Sequence, residues 1–301
     1  MSKTRHFLSL DGLTIDKINQ LLEFSIKLKT DIKNKKQYPY LQEKILGMIF
    51  EKPSCRTRIS FEAGMYQLGG KAIYMQGNEV GIGSRESASD ISRVLSRYLD
   101  IVMYRANCHQ NIVEMAEYSS IPIINGLSDY VHPCQIMADM LTVLECKKHV
   151  SDIRLCYIGD GNNVCNSLII AADIMNINLV VSCPKEYEPK MKRGNYEIIS
   201  DPEKAVYNAD VVYTDVWVSM GQEAEKEKKL NSMQKYSVTM DLMSKAASNA
   251  IFLHCLPAHR GEEVTSEVMG SAYSKVFDQA ENRMHAQKAI LVDLLCPDMI
   301  K

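Results

Sequence analysis

The chain has 301 residues, 46% of them hydrophobic, so it can bury a sizeable core and is predicted to form two domains. Its 35 basic and 37 acidic residues leave a net charge of −2, which argues against binding nucleic acid or a membrane surface. No apolar run is long enough to span a membrane, and residues 1–10 lack the apolar centre of a secretory signal. We therefore expect a cytoplasmic protein.

Short β-branched segments alternate with segments of helical periodicity along the chain. Eight strands are predicted, over residues 45–50, 72–75, 101–104, 121–124, 154–158, 178–183, 211–214 and 251–254. This alternation predicts an α/β protein with parallel sheets and helices on both of their faces.

Between the fourth and fifth strands, apolar residues recur at helical spacing over 133–147, which predicts a long helix joining two sheets. A final helix is predicted over 279–295. The polar stretches 31–38 and 222–229 are predicted to be loops. The fold class is therefore two doubly wound parallel-sheet domains joined by long helices.

The segment Ser54–Arg58 follows the first predicted strand and begins a helical pattern that Gly69 and Gly70 end. The first turn of a helix carries unpaired N–H groups and the positive end of the helix dipole, so anions bind there. Ser54 is a suitable N-cap residue, and Arg56 could add charge-assisted hydrogen bonds to phosphate, as could Arg58. The same residues also fit an ordinary capped helix with solvated arginines.

Ligands of open parallel sheets bind beyond the carboxyl ends of the strands. Polar or reactive side chains follow six of the eight predicted strands; besides Ser54–Arg58 they are Arg105, His132, the segment 159–163, Asp215 and Cys255. Each has an ordinary explanation alone, such as an ion pair, a helix start, a turn or a buried thiol. Together they predict a ligand-binding site.

The nine cysteines form no CxxC pair and are odd in number, so reduced thiols are expected. His132 with Cys134, and His254 with Cys255, are the pairs that would suggest zinc. Neighbouring residues on a strand point to opposite faces, so no metal site is predicted.

Four segments carry a resemblance to a known family: Ser54–Arg58, His132–Gln135, Asp215–Gly221 and His254–Pro257. In this order they resemble the signature segments of the aspartate/ornithine carbamoyltransferases, in particular the members that use ornithine. The resemblance runs from about Phe7 to Leu295. It implies a carbamoyl phosphate-binding domain over residues 1–143 plus 283–301, and an ornithine-binding domain over 144–282.

The resemblance also implies the ligands of each substrate. Those of carbamoyl phosphate are Ser54, Cys55, Arg56, Thr57, Arg105, His132, Gln135 and Arg283, with a backbone contact at Leu256. Those of ornithine are Asn163, Asp215, Ser219, Met220 and Cys255. No metal or organic cofactor is implied, and the implied assembly is a homotrimer.

The implied chemistry is transfer of the carbamoyl group to the δ-amine of ornithine, within arginine metabolism. Arg105, His132 and Thr57 would donate hydrogen bonds to the carbonyl oxygen as it becomes negative. Asp215 and Cys255 would orient the amine, with a phosphate oxygen as a plausible proton acceptor.

Two positions depart from the family pattern. Cys55 stands where threonine is usual, and its thiol is a weaker hydrogen-bond donor, so weaker phosphate binding is expected. Gly81 stands where a neighbouring subunit usually contributes a polar side chain, unless Ser84 or Arg85 substitutes for it. Two alternatives therefore stay open: a putrescine carbamoyltransferase, and an inactive paralogue acting as a binding or regulatory subunit.

Overall fold

The structure is a computed structural model that describes residues 4–36, 38–218 and 226–300. The strands are β1 (Ile45–Phe50), β2 (Lys71–Gln76), β3 (Ile101–Arg105), β4 (Ile123–Leu127), β5 (Arg154–Ile158), β6 (Asn178–Ser182), β7 (Tyr196–Ile198), β8 (Val211–Thr214) and β9 (Ile251–His254). The α-helices are α1 (Ile15–Lys33), α2 (Cys55–Gln67), α3 (Gly77–Val80), α4 (Ala88–Leu95), α5 (His109–Tyr118), α6 (Pro133–Lys147), α7 (Asn163–Met175), α8 (Pro202–Val206), α9 (Lys226–Met233), α10 (Met240–Ser244), α11 (Ser266–Met269) and α12 (Val276–Leu295).

The chain divides into two compact units. The first consists of Met1–Leu141 together with Asn282–Lys301, and the second is Thr142–Glu281. The divisions fall inside α6 and α12, so the chain passes from one unit to the other within these two long helices.

The first unit contains a four-stranded parallel sheet in the order β2-β1-β3-β4. The inner strands β1 and β3 are almost wholly buried because helices cover both faces of a parallel sheet. The edge strand β2 consists of exposed and half-buried residues. Residues of β1, β3 and β4 pack with Ile91 of α4 and with Ile112 and Met115 of α5 in one apolar cluster.

The second unit contains a five-stranded parallel sheet in the order β7-β6-β5-β8-β9. Its core includes Cys156 of β5, Val212 of β8 and Phe252 of β9, which belong to one cluster with the buried Trp217. The observed α/β architecture of two parallel sheets is the one that the sequence predicts. Among the described residues, no helix is long and apolar enough to cross a membrane.

Several predicted elements differ from the observed ones. The fourth strand is Ile123–Leu127 instead of 121–124, β7 was not predicted, and α12 begins at Val276 instead of at 279. The predicted loop 31–38 is wrong at its start, because α1 continues to Lys33. The predicted loop 222–229 is wrong from residue 226, where α9 begins, while residues 222–225 lie outside the described residues.

Candidate active site

Many of the candidate site residues lie at the ends of the strands where each sheet reverses its order, whereas His132 and Cys255 follow the neighbouring strands β4 and β9. In the first sheet β2 lies on one side of β1 and β3 lies on the other, so the order reverses between β1 and β3. In the second sheet it lies between β5 and β8. Ligands of doubly wound sheets bind at such points, beyond the carboxyl ends of the strands.

In the first unit, α2 begins directly after the turn that follows β1. Ser54 is at the N-cap position, but its side chain makes no capping hydrogen bond and its hydroxyl instead donates to Thr57 Oγ1 at 3.0 Å. The serine side chain therefore does not occupy the N–H groups of the first turn. Cys55 is exposed and Arg56 is half-buried, which leaves both accessible to a ligand. The structure supports an anion site here, although not through the predicted side-chain cap.

Arg58 has partners of its own at the surface. Its Nε lies 3.3 Å from a carboxylate oxygen of Glu62, and its guanidinium lies 4.3 Å from the centre of the Tyr74 ring. The expectation that Arg58 binds phosphate alongside Arg56 is therefore not supported by its contacts.

Arg283 of α12 connects two of the other predicted ligands. Its guanidinium donates to Thr57 Oγ1 at 2.7 Å and to Gln135 Oε1 at 2.9 Å. Gln135 in turn donates to Asp139 Oδ1 at 2.8 Å, and all of these side chains are buried. Asp139 was not singled out in the sequence, because a carboxylate one turn after Gln135 on a helix gives no signal of its own. These contacts hold the Thr57 hydroxyl in one orientation.

Arg105 is the last residue of β3, and His132 directly precedes α6; they are 7% and 4% exposed. Burial lowers the pKa of His132 well below 6.5, and the charges of Arg283 and Arg105 lower it further. The imidazole is therefore neutral at physiological pH and has one N–H to donate. Burial raises the pKa of the neighbouring Cys134 to about 12, so that cysteine stays a thiol.

In the second unit, the Asp215 carboxylate follows β8 and accepts hydrogen bonds at both oxygens. Its Oδ1 accepts from the Cys255 thiol at 2.8 Å and from the backbone N–H of Val216 at 2.8 Å. Its Oδ2 accepts from Asn162 Nδ2 at 2.7 Å. The predicted pair Asp215 and Cys255 is thus in direct contact, through a thiol that donates to a carboxylate.

His254 and Glu263 support the segment that carries Cys255 and Leu256. The Leu256 N–H donates to His254 Nδ1 at 2.8 Å, so the proton of the neutral imidazole is on Nε2. Nε2 lies 3.1 Å from Glu263 Oε1, to which it donates. Both side chains are fully buried. The sequence analysis did not identify Glu263, because only its position eight residues after Cys255 connects it to the site in the sequence.

The remaining predicted residues are placed as follows. Asn163 is the first residue of α7 and is half-buried, after the turn that follows β5. Ser219 and Met220 lie outside the described residues. Gly81 has φ +72, a left-handed conformation that disfavours a side chain, and the hydroxyl of Ser84 and the guanidinium of Arg85 bond to the backbone of residues 79–81.

Two groups of potential metal ligands occur among the described residues, each with its ligand atoms within 4.8 Å of one another. They are Asp215 with His254 and Cys255, and His259 with Glu262 and Glu263. In the first group, Cys255 already donates to Asp215, and His254 Nδ1 already accepts a backbone N–H. The ligand atoms of His254 and Cys255 thus do converge, contrary to the sequence argument, although hydrogen bonds within the protein already engage both side chains.

Both halves of the chain match models of one family. Residues 5–145 match the carbamoyl-P binding domain of aspartate/ornithine carbamoyltransferase, and residues 151–294 match its Asp/Orn binding domain. The chain belongs to the aspartate/ornithine carbamoyltransferase family. Arg283 lies within the second matched segment, yet α12 places it in the first unit with Thr57 and Gln135.

Similar proteins in the carbamoyltransferase family share the whole length of the chain. An ornithine carbamoyltransferase of Caldicellulosiruptor saccharolyticus is 49% identical, over 96% of this chain and 97% of its own. One of Archaeoglobus fulgidus is 48% identical, over 97% of each chain. The solved structure of ornithine carbamoyltransferase from Pyrococcus furiosus is 45% identical and superposes with a TM-score of 0.92, over 96% of each chain. The predicted family is thereby confirmed.

Proposed function

We propose that this protein is an ornithine carbamoyltransferase, which transfers the carbamoyl group of carbamoyl phosphate to the δ-amine of L-ornithine to give L-citrulline and phosphate. The observation that carries this choice is the carboxylate of Asp215, hydrogen-bonded to the Cys255 thiol after β8. An acidic group suits a substrate with a cationic side chain, whereas the side-chain carboxylate of aspartate would need a cation there.

The first unit supplies the groups that carbamoyl phosphate requires. The N–H groups at the start of α2, together with Arg56, would bind the phosphate end, with Ser54 and Cys55 beside them. Thr57 Oγ1 already accepts from Ser54 and Arg283, so its own proton remains to be donated to the substrate.

Arg105 and the neutral His132 would add donors to the carbonyl oxygen. Negative charge develops on this oxygen as the amine attacks, and donors already fixed in place stabilise that transition state more than the ground state. Because burial keeps His132 neutral, it acts as a hydrogen-bond donor without competing for the proton of the amine. We assign Gln135 and Arg283 to the same substrate, with the Leu256 backbone as a further contact.

The second unit supplies the groups that ornithine requires. The δ-ammonium must lose a proton before it attacks, and Asp215 with Cys255 would orient the amine while a phosphate oxygen takes that proton. Asn163 would bind the α-carboxylate, and Ser219 with Met220 would complete the amino-acid site. The reaction has an amine nucleophile and a good leaving group, so it needs neither a covalent enzyme intermediate nor an organic cofactor.

The experiment is a citrulline assay on the purified protein, with ornithine and putrescine compared at equal concentrations. We expect turnover of ornithine, and a much lower rate with putrescine because it lacks an α-carboxylate for Asn163. Faster turnover of putrescine would mean that putrescine, instead of ornithine, is the acceptor. Calorimetric binding of carbamoyl phosphate without any product from either amine would indicate a binding subunit instead.

We further propose that the enzyme is a homotrimer that works in the cytoplasm, within arginine metabolism. Exposed apolar side chains on the first unit support self-association, namely Ile59, Tyr66, Ile73 and Tyr98, which are 46–72% exposed. The nine cysteines all lie among the described residues and none forms a disulfide, which suits a reducing compartment. Light scattering should give about three times the chain mass of 34.0 kDa, and a monomer would refute this assembly.

A further inference from the structure

We propose that Asn162 is a positioning residue, whose side-chain amide aims the Asp215 carboxylate, and that an ion pair between Lys229 and Asp160 holds Asn162 in place. The proposal rests on the proposed function, because it concerns the carboxylate assigned to the amine of ornithine. Asn163, the neighbouring residue, was the one expected to contact the substrate, whereas Asn162 acts through Asp215.

The contacts of Asn162 determine which way its amide points. Its Oδ1 accepts from the N–H of Val164 at 2.9 Å and of Cys165 at 3.1 Å, which makes Asn162 the N-cap of α7. The Tyr157 hydroxyl lies 3.3 Å from the same oxygen. Because the oxygen is committed to these donors, the NH₂ group must face the other way, where it donates to Asp215 Oδ2 at 2.7 Å.

Asp215 depends on this contact for its orientation. Its other oxygen is held by the Cys255 thiol and the N–H of Val216. With Asn162 bonded to Oδ2, the carboxylate is fixed at both oxygens and cannot rotate freely. Without Asn162, one oxygen loses its donor, and the ionised carboxylate loses a charge-assisted hydrogen bond in a site where Asp215 is only 5% exposed.

The segment that carries Asn162 is anchored from a different helix. Lys229 of α9 lies with its Nζ 2.7 Å from Asp160 Oδ2, and the two side chains are 6% and 13% exposed. Burial raises the pKa of Asp160, and the Lys229 ammonium opposes that rise. The same ammonium lies 5.0 Å from the centre of the Tyr187 ring.

The backbone of this segment is also tightly packed. The Gly161 N–H donates to the Tyr187 carbonyl at 2.8 Å, and a Cβ on Gly161 would lie 2.3 Å from the backbone nitrogen of Pro189. The segment therefore has little freedom to move. Because this segment is anchored, the amide of Asn162 holds the Asp215 carboxylate in a fixed position.

The test compares three variants with the wild-type enzyme. Asn162→Ser retains a capping oxygen for α7 but has no donor for Asp215. Asn162→Asp keeps the size and the capping oxygen but places a second carboxylate against Asp215. The matched control is Asn176→Asp: Asn176, at the opposite end of α7, donates to Asp152 Oδ1 at the same distance of 2.7 Å, on the exposed surface.

Two readouts are measured on the folded variants. The first readout consists of the kinetics of citrulline formation and the affinity for carbamoyl phosphate. We expect Asn162→Ser to lower kcat/KM for ornithine at least about tenfold and Asn162→Asp to lower it further, with carbamoyl phosphate affinity unchanged. Asn176→Asp should match the wild type.

The second readout is the rate at which iodoacetamide alkylates Cys255, followed by peptide mass spectrometry, and it does not require activity. Release of Asp215 should free the thiol that donates to it, so alkylation should be faster in Asn162→Ser and unchanged in Asn176→Asp. Asn162→Asp is compared by its kinetics alone, because its added negative charge opposes formation of the reactive thiolate. A wild-type alkylation rate in Asn162→Ser overturns the proposal, whether or not activity falls. A wild-type protein that makes no citrulline, but whose Asn162→Ser variant reacts faster at Cys255, refutes the proposed function and leaves the positioning role standing.

Discussion

Arg283 allows the strongest test of how the first unit holds its candidate site residues in place. Its guanidinium bridges Thr57 Oγ1 and Gln135 Oε1, which are separated from it by 226 and 148 residues in the chain. Arg283→Lys keeps the positive charge but cannot reproduce the two-pronged geometry. Arg283→Met removes both the charge and the donors.

The expected loss of stability follows from the burial of Thr57 and Gln135, the two acceptors of Arg283. Thr57 and Gln135 are 0% and 1% exposed, so water cannot replace a lost donor. A hydrogen bond to a charged group contributes about 1.5–3 kcal/mol, and Arg283→Lys should lose one such bond. Arg283→Met leaves the buried Gln135 Oε1 without this donor, at about 1–3 kcal/mol, and removes one of the two donors to Thr57 Oγ1, at about 1.5–3 kcal/mol, which gives about 2.5–6 kcal/mol.

The first measurement is the free energy of unfolding in urea, taken from the unfolding transition that occurs in both the wild type and the variants. The second is the affinity for carbamoyl phosphate, measured by calorimetry. The control is Arg58→Met, since Arg58 pairs with Glu62 at the surface and should cost no more than about 1 kcal/mol. A double-mutant cycle of Arg283→Lys with Gln135→Leu should give a coupling energy above about 0.5 kcal/mol. Additive effects, or an Arg283→Lys variant as stable as the wild type, would refute the reasoning.

Four other predictions concern single positions. Arg105→Ala should lower kcat by about 10²–10³ while the far-ultraviolet circular dichroism stays unchanged, because it removes a donor to the developing oxyanion; equal turnover would take Arg105 out of the site. Cys55→Thr should tighten carbamoyl phosphate binding about threefold to tenfold in calorimetry, because a hydroxyl is a better donor than a thiol; an unchanged affinity would mean that only the backbone N–H binds. Burial and nearby lysine charges lower the pKa of His285 to about 3, so below pH 6.5 the unfolded chain binds a proton that the folded chain does not, and stability falls with falling pH. In His285→Gln the free energy of unfolding should fall less steeply with pH than in the wild type, by up to about 1.4 kcal/mol per pH unit between pH 6 and 5. The same pH dependence in urea unfolding of both proteins would contradict the assignment. Trp217, the only tryptophan, is buried two residues after Asp215, so ornithine should change its fluorescence emission, whereas an unchanged spectrum at saturation would argue against binding there.

Much of the fold could be predicted because its signals are local. The strands β1, β5, β8 and β9 and the helix α6 have the predicted bounds, since each combines a continuous apolar pattern with polar or turn residues at its ends. The short β7 was missed because its exposed edge position requires no apolar pattern. Residues 226–229 were taken for a loop because all four are charged, whereas in the structure Lys229 is buried in an ion pair with Asp160.

The sequence by itself determined the parallel-sheet class, the family and the candidate residues, because these follow from periodicity and from motifs within a few residues of one another. Only the tertiary structure decided how those residues are held. It directs the Ser54 hydroxyl to Thr57 instead of to the helix N–H groups, and it brings Asn162 to Asp215 across 53 residues of chain. The contact between Asn162 and Asp215 arises because buried polar groups pair with partners from distant segments, and the sequence pattern does not show which segments meet.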